Sequence, residues 1–162
     1  MSNHNLFIHG ADGVAEPATS EQILSAARQV LSHRVRRGAT LSSPQKVRGY
    51  LSMRLGHLDY EVFGLILVDN RHRVIEYVEV FRGTIDGASA HPREVVKLIL
   101  VKQAAACVLV HNHPSQVGEF SHADELITKR LTNILQGIDV RVLDHWLVTG
   151  AAVVSMAEQG RR

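Results

Sequence analysis

Two short runs of the chain are wholly apolar, and they restrict the fold more than any other feature. The first follows Glu61 and continues through residue 68, and the second covers residues 105–110. Runs of this length without alternation are typical of strands that are buried on both faces. Because such strands must be covered, the sequence predicts a mixed α/β domain with helices packed on a sheet.

The remaining sequence predicts the helices and strands around these two strands. Residues 1–18 show no periodicity and are predicted to be a flexible N-terminal segment, ahead of a single domain over residues 19–162. Helices are predicted over residues 20–38, 43–55, 91–101 and 122–136, the last one ending at Gly137. Further strands are predicted over residues 74–81, 140–143, 145–149 and 151–155.

Composition excludes several classes of protein. The 162 residues are 45% hydrophobic and 21% charged, as in one globular domain, and the N-terminus lacks the pattern of a signal peptide. Since no apolar run is long enough to cross a bilayer, we expect a cytoplasmic protein that does not bind membranes. The single cysteine, Cys107, excludes a metal site built from several cysteines within one chain, so a metal would be bound by His and carboxylate.

A local basic stretch precedes the first strand. It consists of His33, Arg34, Arg36, Arg37, Lys46, Arg48 and Arg54. With a net charge of only +2, the chain does not require a nucleic-acid partner. We interpret the stretch as a solvated helix end, and a phosphate-binding patch with weak nucleic-acid association is the alternative.

The end of the second apolar run carries the most distinctive chemistry. His111 and His113 are two residues apart in an extended backbone, which directs both imidazoles to the same side. Asp124 lies in the first turn of the next helix, and a compact loop can return it as a third ligand. Three protein ligands leave a fourth position for water, as in catalytic zinc sites. We therefore predict a metal site, with zinc as the metal.

Hydrolysis at such a site also requires a group that takes a proton from water and passes it on. Glu61 is the preferred candidate because it stands at the mouth of a buried strand, although spacing alone does not select it. The other candidates are Glu76, Glu79, Glu94, Glu119 and Glu125. Ser121 could donate a hydrogen bond to a developing oxyanion, but the pattern taken alone favours a structural helix cap with Asp124 at the third helical position.

Two further histidines are assigned other roles. His145 is predicted to lie in a turn between two strands, and a role as partner of a metal ligand is the alternative. His122, next to Ser121, points elsewhere on the helix and is excluded as a ligand.

The segment from His111 to Asp124 matches the H-x-H-x7-S-x2-D signature of the JAMM (JAB/MPN) metalloproteases. Within that group the chain resembles the RadC-like proteins over about residues 41–155. The stretches that carry the resemblance are YEVFGLILVDNRHR, FRGTIDGASAHPREV, HNHPS and VRVLDHWLVTG. The resemblance implies a JAB/MPN-like, cytidine-deaminase-like architecture. It also implies zinc on the two histidines and Asp124, Glu61 as acid/base, and Ser121 as an oxyanion-stabilising residue.

The same resemblance implies a metallopeptidase or isopeptidase acting on a protein or peptide. The alternative is an accessory protein associated with DNA repair, whose JAMM-like site binds metal without catalysis. A nucleobase deaminase is disfavoured because the Cys-x-x-Cys of that site is absent.

Two departures from the RadC-like pattern are visible. The chain resembles the short, stand-alone form, without the N-terminal helix-hairpin-helix region of longer relatives. It reads HNHPSQVGEFS where RadC-like proteins usually read HNHPSGDPxPS. Because the length is kept, we expect the ligand spacing to be retained and the loop to differ in shape.

Overall fold

The computed structural model describes residues 6–9, 13–34, 44–83 and 91–160. The elements in these ranges are β1 (Phe7–His9), β2 (Ala15–Pro17), α1 (Ser20–Arg34), α2 (Pro44–Leu55), β3 (Val62–Val68), β4 (Val74–Arg82), α3 (Pro92–Val101), β5 (Ala106–Asn112), α4 (His122–Gln136), β6 (Arg141–Thr149) and β7 (Ala152–Ser155). The mixed α/β class is therefore confirmed. The predicted end of the first helix near Gly38 and the predicted cap Ser43 lie outside the described residues.

Five strands form one mixed sheet in the order β4-β3-β5-β6-β7. β5 and β6 run parallel and are connected through α4, whereas the other neighbouring pairs are antiparallel. Every residue of β3 and of β5 is buried, as the two apolar runs predict. In the register between these two strands, Phe63 lies opposite His111.

Alternation along the strands divides the core into two layers. On one face, Cys107 and Leu109 of β5 pack with residues of α3 and α4; on the other, Val108 and Val110 pack with residues of α2. This alternation continues to the end of β5. His111 belongs to the series that faces α4, so the fold itself directs it toward the helix that carries Asp124.

The predicted turn at Asp144 is wrong, because β6 continues through it as one strand. A register shift pairs Cys107 with Val142 and Val108 with Asp144, which leaves Leu143 as the inserted residue of a β-bulge. The carboxylate of Asp144 accepts four hydrogen bonds, from the backbone N–H groups of His145 and Ala157, the indole of Trp146 and the hydroxyl of Ser155. This half-buried bonding role explains an acidic residue that resembles a turn residue in the sequence.

The N-terminal segment contains local structure where the sequence shows no periodicity. β1 and β2 pair in antiparallel fashion, with Ile8 opposite Glu16. Strands of three residues are too short to produce a recognisable pattern. The division of the chain at residue 18 stays a prediction. None of the helices in the described ranges combines the length and the apolar character that a membrane span requires.

Two glycines, Gly49 within α2 and Gly56 directly after it, provide a matched test of the packing. A Cβ on Gly56 would lie 1.9 Å from the carbonyl oxygen of Gly150, whereas a Cβ on Gly49 would have nothing within 4 Å. We expect Gly56→Ala to lower the free energy of unfolding by about 1–3 kcal/mol, since backbone must move to admit the methyl group. Gly49→Ala should raise it by about 0.5–1 kcal/mol, because alanine favours the helix. Urea denaturation measures both, and equal effects would contradict the close approach.

Candidate metal centre

The two predicted histidine ligands lie at the end of β5. The strand extends to Asn112, two residues beyond its predicted end, and the N–H of His113 continues the pairing by donating to the carbonyl of Val148 at 3.0 Å. The imidazoles of His111 and His113 reach the same side, with their Nε2 atoms 3.1 Å apart. The period of an extended backbone therefore places both rings as expected.

Asp124 joins the two histidines from the first turn of α4. Its Oδ1 lies 3.2 Å from Nε2 of His111, and its Oδ2 lies 3.6 Å from Nε2 of His113. The side chain of His113 is 16% exposed, while those of His111 and Asp124 are at most 1% exposed. One ligand atom from each residue lies within 4.8 Å of the others, so the three predicted ligands form a group that could hold a metal ion.

Ser121 caps α4 and thereby orients the carboxylate of Asp124. The backbone N–H and the hydroxyl of Ser121 both donate to Oδ2 of Asp124 at 2.7 Å, and the N–H of Asp124 donates to the Ser121 hydroxyl. This is a complete capping box, which confirms the structural interpretation of the pair. Burial raises the pKa of Asp124, but hydrogen bonds from His111, His113 and Ser121 outweigh it and hold that pKa well below its usual range.

A backbone carbonyl determines which nitrogen of His113 is available to a metal. Nδ1 of His113 lies 3.1 Å from the carbonyl oxygen of Val117. A carbonyl only accepts, so Nδ1 carries the hydrogen and Nε2 of the neutral ring has a free lone pair. The hydrogen bond to Asp124 is the main cause that raises the pKa of His113, and the charge of Glu61 raises it further. His113 therefore faces two carboxylates.

His145 was predicted as a turn residue, and this is wrong. It lies in β6, is 1% exposed, and its Nε2 is 2.8 Å from Nδ1 of His111. The rings of Phe63 and Phe120 enclose it at centroid distances of 5.9 and 5.3 Å. Burial, followed by the charge of His111, lowers the pKa of His145 well below its usual value, so the ring is neutral. The alternative interpretation, a partner of a metal ligand, fits this geometry.

Glu61 precedes β3 on the side of the sheet that faces His113. The pairing of β3 with β5 ends where Phe63 lies opposite His111, two residues after Glu61, and the charge of Glu61 acts on His113. Asn112 holds the backbone on both sides of Glu61, since its amide accepts from the N–H of Val62 at 2.8 Å and donates to the carbonyl of Tyr60 at 3.0 Å. Sequence reasoning missed Asn112, whose only signal is its place between the two histidines.

The other candidate carboxylates have different surroundings. Glu76 pairs with Lys102, Glu79 pairs with Arg54 and Arg82, and Glu94 pairs with Arg93. Glu119 is exposed and Glu125 is half-buried on α4. The charge of Glu61 acts on His113, one of the predicted ligands.

The altered loop after His113 keeps a turn that normally favours glycine. Gln116 has a φ of 60°, in the left-handed region, and its N–H donates to the carbonyl of His113 at 3.0 Å. The usual RadC-like sequence HNHPSG carries glycine at this position. Gln116 therefore adopts a left-handed conformation that glycine adopts without strain.

The described members of the basic stretch are engaged within the protein. Arg48 pairs with Glu158 and lies 5.7 Å from the ring centroid of Trp146. Arg54 lies 4.6 Å from the ring centroid of Tyr77 and approaches Glu79 at 3.5 Å. The side chains of His33, Arg34, Arg36, Arg37 and Lys46 lie outside the described part of the chain.

Comparison with known proteins agrees with the resemblance to RadC-like proteins. A family model described as a RadC-like JAB domain matches residues 41–161. A UPF0758 protein of Thioalkalivibrio sulfidiphilus is 51% identical over 148 residues, which cover 91% of this chain and 66% of that protein. A UPF0758 protein of Shewanella sp. strain ANA-3 is 48% identical with the same coverage, and one of Shewanella amazonensis is 52% identical over 83% of this chain and 60% of its own length.

These relatives give little information about the activity of the chain. The chain spans slightly less than two thirds of the length of the curated relatives that it matches. The name UPF0758 states no activity, substrate or partner.

Proposed function

This chain belongs to the RadC-like JAB domain family, and we propose that it is a zinc-dependent hydrolase of the metallopeptidase or isopeptidase type. One observation carries the proposal: the Nε2 atoms of His111 and His113 lie 3.1 Å apart beside the carboxylate of Asp124. When the rings are neutral, with Nδ1 of each bonded elsewhere, two lone pairs face each other at this distance. A cation shared by both nitrogens and the carboxylate relieves that repulsion.

The donor set fits zinc. Two neutral imidazole nitrogens and one carboxylate oxygen are ligands that zinc accepts, and three protein ligands are typical of catalytic rather than structural sites. When bound in such a site, zinc acts as a Lewis acid and lowers the pKa of a water in its open position to about 7. His111, His113 and Asp124 would hold the ion.

Glu61 and Ser121 supply the remaining chemistry of the proposal. Glu61 takes the proton from the attacking water and returns it to the leaving amine nitrogen of the amide. Support for this role comes from the charge of Glu61, which acts on His113, and from the two hydrogen bonds of Asn112 to the adjoining backbone. Ser121 donates to the oxygen of the carbonyl under attack. Its exposed hydroxyl donates to Asp124 in the structure, so it must turn away for this step.

A cavity beside His113 supports a peptide substrate. It has a volume of about 330 Å³ and lies between the end of α2 and the loop after β5. Its lining includes His57, Asp59, Pro114 and Gln116. An amide that enters from this side meets His113 first, and His113 is the most exposed member of the candidate metal centre.

Metal analysis and a hydrolysis assay test the proposal together. We expect the purified protein to contain about one zinc per chain and to cleave an amide in a library of peptides and isopeptide-linked peptides. Chelation should abolish cleavage, and added zinc should restore it. Absence of zinc from carefully prepared protein would overturn the proposal. Zinc without cleavage of any member would favour the accessory protein, and a DNA-binding assay across salt concentrations would then test its partner.

A further inference from the structure

A chain of three hydrogen bonds connects the side chain of His111 to the backbone of Asp124. Nδ1 of His111 lies 2.8 Å from Nε2 of His145, and Nδ1 of His145 lies 2.6 Å from the hydroxyl of Thr128. The same hydroxyl donates to the carbonyl oxygen of Asp124 at 2.5 Å. The chain thus begins at one proposed metal ligand and ends at another.

A metal on Nε2 of His111 determines the direction of every bond in this chain. The nitrogen that binds a metal carries no hydrogen, so neutral His111 carries it on Nδ1 and donates to Nε2 of His145. Neutral His145 then carries its hydrogen on Nδ1 and donates to the hydroxyl of Thr128. The single hydrogen of that hydroxyl goes to the carbonyl of Asp124, where the structure has it.

The opposite direction of these hydrogen bonds prevents His111 from binding a metal. If Thr128 donated to His145, the hydrogen of His145 would sit on Nε2 and be donated to Nδ1 of His111. Neutral His111 would then carry its hydrogen on Nε2, the atom that faces His113 and Asp124. Only one of the two directions leaves His111 able to bind a metal.

The two histidine rings of this chain are buried. His111 and His145 are at most 1% exposed, and the rings of Phe63 and Phe120 lie against His145. A buried N–H that loses its acceptor is energetically unfavourable. Without the hydroxyl of Thr128, His145 avoids this cost by moving its hydrogen to Nε2, which is the blocking direction.

We propose that Thr128 and His145 are positioning residues that hold His111 in its metal-binding tautomer. This inference rests on the metal-dependent function proposed above. Neither side chain belongs to the group of proposed ligands. Partners that orient a ligating histidine typically contribute 10- to 100-fold to metal affinity. The hydroxyl of Thr128 therefore controls metal binding from one helical turn beyond Asp124.

The next turn of α4 provides a matched control. Thr132 donates its hydroxyl to the carbonyl of Thr128 at 2.8 Å, four residues back, just as Thr128 donates to Asp124. Thr132 has no bond to a histidine among those of the described residues. Thr128→Val and Thr132→Val thus remove the same type of helix bond, and only the first removes the acceptor of His145.

The test compares zinc affinity among full-length variants by competition with a chromophoric chelator. We expect Thr128→Val to weaken zinc binding by about 10- to 100-fold, and Thr128→Ser and Thr132→Val to stay close to the wild type. Thr128→Ala serves the same purpose if the valine variant does not fold. As a second readout, the Nδ1 proton of His145 in the zinc-loaded protein should give a hydrogen-bonded NMR signal in the wild type and in Thr128→Ser.

The outcomes separate this inference from the proposed function. Equal zinc affinity of Thr128→Val and Thr132→Val, in a wild type that binds zinc, would overturn the role of Thr128 and leave the hydrolase proposal intact. A missing Nδ1 signal of His145 in the zinc-loaded wild type would also overturn it. A wild type that binds no zinc would overturn the proposed function itself.

Discussion

Replacement of Asp124 by asparagine should abolish zinc binding at micromolar protein concentrations. The substitution keeps the shape of the side chain but removes the negative charge that faces the two histidines at 3.2 and 3.6 Å. Loss of a direct ligand should lower zinc affinity by more than the 10- to 100-fold that is typical when a residue hydrogen-bonded to a ligand is lost. Zinc content by atomic absorption, together with chelator competition, measures the effect.

Glu119→Gln is the matched control for this variant. Glu119 is an exposed acid on the loop just before α4 and is not part of the group of ligand atoms, so its loss of charge should leave zinc binding unchanged. Circular dichroism of both metal-free proteins tests whether α4 still forms. We expect it to form, because an amide oxygen at residue 124 can still accept a hydrogen bond from the N–H of Ser121. Zinc retained at wild-type affinity in Asp124→Asn would refute the assignment of this ligand.

Replacement of Glu61 by glutamine should leave zinc in place and slow amide hydrolysis by about 10²- to 10⁴-fold. General acid and base catalysis by a positioned side chain accounts for a factor of this size. Glutamine keeps the length of the side chain and cannot accept the proton of the attacking water. The measurement is turnover on the substrate found in the library, with zinc content determined on the same preparation.

Glu76→Gln is the appropriate comparison because it neutralises another candidate acid, one that pairs with Lys102 on the surface. We expect it to retain wild-type turnover. Loss of zinc in Glu61→Gln would make Glu61 a ligand rather than an acid/base. Unchanged turnover would assign the proton transfer to a different group.

Much of the fold could be predicted because its signals are local. The two apolar runs identify β3 and β5 as the central, buried strands. The helix over His122–Gln136 was predicted with its observed bounds, since a serine cap, an apolar period and a following glycine mark it within a few residues. The continuity of β6 through Asp144 was not predicted. An aspartate that accepts four hydrogen bonds from three segments has the same local pattern as one in a turn.

The residues of the candidate metal centre differ in how far the sequence predicts their positions. The two-residue spacing of His111 and His113 places both rings on one side of a strand, and the loop of ten residues with a helix start returns Asp124 to them. Glu61 was preferred for its place at the mouth of a buried strand and on the resemblance, and only the structure shows that its charge acts on His113. His145 was assigned wrongly because nothing near it in the sequence indicates His111, 34 residues earlier.

The sequence by itself therefore determined the elements whose patterns are short: the two buried strands, the capped helix α4, and the spacing of the three proposed ligands. The tertiary structure alone decided which distant groups meet them. The parallel pairing of β5 with β6, shifted by the bulge at Leu143, brings His145 behind His111. The antiparallel register with β3 brings Asn112 to the backbone around Glu61. Strand register depends on packing across the whole sheet, and no local pattern of residues encodes it.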